Sequence, residues 1–139
     1  MTKDTQIIGS TVKLSIPAAS IFDLPAKVDT GADSSAIWAS NVKEKNGVLS
    51  FTLLDPTSDK YTGEEIKATD YVRVIVKNSF GNTERRYRVY LTVDIEGKRV
   101  KARFSLANRQ LKSYPALIGR RLLNKKFLVD VSKTDEGSK

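Results

Sequence analysis

Between residues 70 and 106, apolar and polar side chains alternate with a period of two through runs parted by tight-turn signals. That pattern admits antiparallel strands and little else. The first run spans Glu65 to Val76, with Val72, Val74 and Val76 on one face. Asn78-Ser79-Phe80-Gly81-Asn82 reads as a hairpin turn into a second run, Arg85 to Ile95. Glu96-Gly97-Lys98 turns the chain again into Val100 to Leu106. Arg86, Arg88, Arg99, Lys101 and Arg103 alternate with apolar neighbours, which places their charge on outward faces.

The flanking sequence continues in the same manner. After Ile8-Gly9, residues Val12, Leu14 and Ile16 alternate until Pro17, and Ile21 to Val28 forms a second strand. Ser34 to Ala39 reads as extended chain or a single turn with Ile37 and Trp38 packed, and Asn41 to Gly47 as a charged loop. Val48 to Leu54 returns as a strand, and Thr57 to Gly63 has loop composition. Asn108 to Ser113 is a polar loop before a short apolar strand, Tyr114 to Gly119. Arg120 to Lys126 suits one or two helical turns with Leu122 and Leu123 inward, and Phe127 to Val131 is a last strand. Nearly everything is strand and turn. The expected fold is therefore all-β, a closed or sandwiched sheet in one domain over residues 1–139, with an ordered core at about 7–132.

The residue inventory excludes much chemistry. The chain has no cysteine and no histidine, so no Ser-His or Cys-His nucleophile can be assembled and zinc would lack its usual ligands. No cofactor or metal is expected, and acid–base work falls to carboxylates. No apolar run reaches the length of a membrane span, and no secretory signal opens the chain, so a cytoplasmic location is the expectation. The net charge of +8 is concentrated in residues 84–126, which hold 13 Lys and Arg against 3 Asp and Glu. Such a surface is a solvated basic face, or it attracts an acidic peptide or nucleic acid.

One stretch stands out chemically: Ala26-Lys27-Val28-Asp29-Thr30-Gly31-Ala32-Asp33-Ser34-Ser35. An apolar strand delivers a carboxylate, a hydroxyl and a glycine into a turn, where Gly31 permits close approach of a ligand. This spelling resembles the catalytic loop of the retropepsin-like aspartic proteases. Leu117-Ile118-Gly119-Arg120, followed by Leu122-Leu123, resembles the segment that lies beside that loop in the same family. Ile8-Gly9, Lys27 to Ala32, Gly119-Arg120 and Phe127 to Ser132 together are similar to a bacterial and archaeal retropepsin-like group that carries the label ATP-dependent zinc protease. The chain has Asp33 where many members carry Arg or Lys, and Trp38 where they carry His. It also lacks a phosphate-binding Gly-Lys loop, so neither half of that label finds support in its residues.

The resemblance implies a closed acid-protease barrel with one short helix near the C-terminus. It further implies an aspartic endopeptidase built as a homodimer, because one chain carries one Asp-Thr-Gly loop. Asp29 would be the catalytic carboxylate. Thr30, Gly31, Ala32, Asp33, Gly119 and Arg120 would support the loop, with Asp33 and Arg120 as an ion pair. Asn78, Ser79, Phe80, Gly81 and Asn82 would form the flap, although the same hairpin also reads as an ordinary exposed turn. The substrate would be a peptide or protein, with the basic strands favouring acidic or polyglutamate-tailed chains. The alternative is a retropepsin fold that binds peptide or nucleic acid without cleaving it. Nucleic acid is disfavoured, since Tyr87 and Tyr90 are the only aromatic pair near the basic run and fall on opposite strand faces.

Overall fold

The alternating runs become the walls of a barrel in the computed structural model, which describes residues 5–77 and 80–133. The strands are β1 (Gln6–Ile8), β2 (Thr11–Ile16), β3 (Ile21–Val28), β4 (Ser35–Lys45), β5 (Val48–Leu53) and β6 (Glu65–Ala68). They continue with β7 (Tyr71–Lys77), β8 (Thr83–Ile95), β9 (Lys98–Ala107), β10 (Ala116–Ile118) and β11 (Phe127–Val129), with one short helix, α1 (Arg120–Leu123), before the last. Six of them, β3, β2, β8, β9, β4 and β10, hydrogen-bond in a ring that closes when β10 pairs with both β3 and β4. Closure removes the free edges that an open sheet would expose. β5 and β6 extend the sheet from β4, β7 pairs with the distal half of β8, and β1 lies parallel to β11 as a separate ribbon.

The inward faces follow the period of two. Tyr87, Val89, Leu91, Val93 and Ile95 of β8 are buried, as are Val100, Phe104 and Leu106 of β9. They meet Val12, Leu14 and Ile16 of β2 and Leu24, Ala26 and Val28 of β3 in one continuous core. Leu122 and Leu123 of α1 close one end of it. No helix among the described residues is long and apolar enough to cross a membrane.

Two local expectations are corrected. Residues 41–45 are not a loop, because β4 runs on to Lys45 and turns into β5 through Asn46 and Gly47, both at positive φ (53° and 77°). That is the two-residue hairpin geometry that Asn-Gly favours; Ser35 to Ala39 is extended, the first of its two expected forms, and continues as one strand to Lys45. Glu65 to Val76 is two strands, since the chain bends at residues 69–70 and β6 pairs with β5 while β7 pairs with β8. Val72 is 37% exposed and Ile75 61%, because β7 lies beyond the barrel wall.

Candidate active site

The site is positioned by one topological device. β3 and β4 are joined by residues 29–34, yet they are not neighbours; β10 lies between them, parallel to β3 and antiparallel to β4. The connecting loop must therefore cross the end of β10, where Gly119 follows Ile118. A Cβ on Gly119 would meet the Ser34 carbonyl carbon and oxygen at 2.6 and 2.5 Å and the Ala32 carbonyl oxygen at 2.9 Å. Only glycine leaves the loop its path.

The loop's backbone groups are tied to that strand end and to α1. The Asp29 N–H donates to the Ile118 carbonyl at 2.9 Å. The N–H groups of Arg120 and Arg121, at the first turn of α1, donate to the carbonyls of Ala32 (2.7 Å) and Asp33 (3.1 Å). The Gly119 N–H donates to the Ser35 hydroxyl at 3.0 Å. Inside the turn, the Gly31 N–H donates to Asp29 Oδ1 at 2.9 Å, which fixes the orientation of the half-buried carboxyl group. Thr30 is exposed on the same loop.

Asp33 and Arg120 form an ion pair, and Arg120 Nη1 also donates to the Thr30 carbonyl at 3.3 Å. The guanidinium thus spans the loop from Thr30 to Asp33. Its hydrogen bond and charge hold the Asp33 carboxyl below the usual aspartate value against the desolvation that opposes them, and Arg121 adds a lesser pull in the same direction.

Ser35 was not singled out in the sequence, although it is 3% exposed and is the side chain that anchors Gly119. Its partner lies 84 residues away, so no local pattern could reveal the contact. Of the five flap candidates, Asn78 and Ser79 lie outside the described residues. Phe80 is 87% exposed and Gly81 has φ +83°, beside the β7–β8 hairpin whose pairing ends at Lys77 and Thr83. Among the described residues, no group of three or more carboxylates lies close enough to hold a metal ion. With His and Cys absent as well, these residues do not fit a zinc centre.

Comparison with known proteins agrees with this geometry. A solved Legionella pneumophila protein of unknown function superposes with a TM-score of 0.72 at 30% identity, covering 93% of this chain and 95% of that one. Proteins named alpha-L-glutamate ligase from Shewanella pealeana and Desulfotalea psychrophila are each 29% identical, over 96% and 90% of this chain. The chain spans only 30% and 28% of their lengths. The model of the RimB-like family, described as retropepsin-like aspartic endopeptidase RimB, matches residues 7–136. By its barrel, its Asp29 loop and this match over nearly its whole length, the chain belongs to the RimB-like family of retropepsin-like aspartic endopeptidases.

Proposed function

We propose that the chain is one half of a homodimeric aspartic endopeptidase, with Asp29 of two copies meeting across a two-fold axis. The observation that carries this reading is the Asp29 carboxyl itself. It stands at the end of a barrel strand, oriented by the Gly31 N–H, on a loop braced from below by Gly119 and from the side by Arg120. A carboxylate held so firmly and left half open is arranged for chemistry rather than for packing. The same observation favours catalysis over the alternative of a binding module without turnover.

Two such carboxylates in contact share one proton, because both cannot ionise at close range. The ionised member takes a proton from a bound water, and that water's oxygen attacks the peptide carbonyl carbon. The neutral member donates its proton to the carbonyl oxygen, giving a tetrahedral gem-diol. Proton transfer to the amide nitrogen then breaks the C–N bond, with no acyl-enzyme formed. Thr30 would brace the paired loops through its hydroxyl, and the β7–β8 hairpin would cover the substrate.

A surface suited to the second copy lies beside the loop. A concavity of about 690 Å³ is lined by Thr30, Arg120, Leu123, Phe127 and Leu128. The adjoining β1–β11 ribbon exposes Ile7 and Leu128. The outward Arg and Lys of β8 and β9 would steer an acidic peptide, and the glutamate-ligase names of two relatives fit such a substrate.

The test is cleavage of a diverse peptide library, glutamate-rich chains included, by the wild type, Asp29→Asn and Leu128→Asp, alongside sedimentation. Cleavage by the wild type alone, with Leu128→Asp folded but monomeric, is the expected result. Cleavage retained by Asp29→Asn would overturn the mechanism, and an active Leu128→Asp monomer would overturn the dimer.

A further inference from the structure

We propose that a small basic cavity behind the catalytic loop binds a compact tetrahedral oxyanion, a phosphoryl group. The cavity, about 110 Å³, lies where the start of β4 and helix α1 meet the outward faces of β8 and β9. Arg88, Lys101, Arg103, Arg121 and Lys126 line it with the buried Ser35, and no carboxylate does. These cations come from separate elements, so the cluster is made by the fold and not by a basic run of sequence.

Like charges gathered this way repel one another, and elsewhere on the same strands the repulsion is relieved. Arg86 pairs with Glu84 and Arg99 with Asp94. Among the described residues, none of the five cavity cations has a carboxylate within ion-pair distance; the Asp33 carboxylate meets the Arg121 guanidinium only through longer-range charge. Lys101 and Arg103 are instead held together over the Tyr90 ring, at 5.4 and 4.6 Å from its centre, and Arg103 also donates to the Tyr90 hydroxyl. Ser35 adds a directed donor. Its oxygen already accepts the Gly119 N–H, which leaves its own proton to give.

Size and charge select the occupant. At the ~10–15 Å³ needed for each water-sized group, the cavity takes several oxygen atoms. A single carboxylate brings one negative charge to five cations. A phosphoryl group brings about two, with at least three acceptor oxygens matched to guanidinium and hydroxyl donors. Because Ser35 and Arg121 also hold the loop and α1 together, the occupied cavity stabilises the folded site.

The experiment is a thermal-shift and calorimetric titration with inorganic phosphate against sodium chloride at matched ionic strength. A saturable rise in the unfolding midpoint is expected for the wild type. In Arg88→Gln and Lys126→Gln, both checked for native circular dichroism, half-saturation moves up at least tenfold. Arg85→Gln, a basic residue of β8 outside this cavity, behaves as the wild type. Lys101→Gln replaces either cavity variant if it fails to fold. The absence of a saturable rise overturns the proposal, as does equal weakening in Arg85→Gln. Displacement of phosphate by oligoglutamate of equal charge would assign the cavity to carboxylates and overturn it too. Binding is read without cleavage, so it stands or falls separately from the peptidase reading.

Discussion

Gly119 lies so close beneath Ser34 that even one added methyl group would stand 2.5 Å from the Ser34 carbonyl oxygen. The obstacle is backbone on the crossing loop, so no side-chain rotation can relieve it. Gly119→Ala must push the loop off the end of β10 or distort β10 itself. Overpacking of this kind costs about 1–3 kcal/mol. The expected result is a lower urea midpoint at unchanged m-value, with cleavage reduced more than the stability loss explains, because Asp29 moves with the loop.

Arg120→Ala should affect the loop in a pH-dependent way. The folded-state value of Asp33 is lowered by Arg120, so the pair stabilises the fold fully above the usual aspartate value of 3.8. That contribution is lost as pH falls through the lowered folded value. The difference in unfolding midpoint between wild type and variant is therefore constant through neutral and mildly acidic pH and closes only below it. Both groups are more than half exposed, so the difference is small. The effect on cleavage should be larger, since the guanidinium also holds the Thr30 carbonyl. Equal stability of both proteins at neutral pH would exclude the bracing role.

A second carboxylate ties the hairpin to the barrel. Glu44 of β4 accepts the Tyr71 hydroxyl at 2.6 Å, Arg73 Nη1 at 3.2 Å and the Tyr87 hydroxyl at 3.3 Å. The Tyr71 bond is the main reason the Glu44 carboxyl is held low; desolvation opposes it, and Arg73 and Tyr87 add to it. The same bond pushes the Tyr71 hydroxyl above its usual 10.0. The Glu44 contribution is thus present above the ordinary glutamate value of 4.5 and lost as pH falls through the lowered one. The Tyr71 contribution is present below pH 10.0 and lost as pH rises through the raised value. An ultraviolet titration should show Tyr71 titrating late, and Glu44→Gln should bring it earlier. Amide exchange in β7 should be faster in Tyr71→Phe.

Much of this architecture is legible in the amino-acid order, for reasons of period. In β9 Arg99, Lys101 and Arg103 alternate with apolar residues, and in β8 Arg86, Arg88, Thr92 and Asp94 do the same, which separates the inner face from the outer one. The turn at Gly97 then sets the pairing of the two strands. Asp29-Thr30-Gly31 and Leu117 to Arg120 are legible as motifs because their chemistry is local to each. The far half of β4 is not, since Lys43, Glu44 and Lys45 follow one another with no apolar period. Asn46-Gly47 was the available signal there. The roles of Ser35 and of the Arg88 cavity are set by where β10, α1, β8 and β9 come together. Contacts made across 80 or more residues, such as that of Ser35 with Gly119, leave no mark on local pattern.

Ser35→Ala tests the least visible of these contacts. The hydroxyl is buried, and removing it leaves the buried Gly119 N–H without its acceptor. An unsatisfied buried donor costs about 1–3 kcal/mol. Ser35→Thr keeps the oxygen and should lose less of the urea midpoint than Ser35→Ala. Ser35 and Gly119 act on the same crossing, so their effects should not add. Once Gly119→Ala has displaced the loop, the hydroxyl has little left to hold, and the double variant should be less destabilised than the two single losses together. Full additivity would mean that the Ser35 hydroxyl and the Gly119 backbone stabilise the fold independently, and the loop would then be held by its other ties, the backbone bonds of Asp29, Arg120 and Arg121 and the Arg120 side chain.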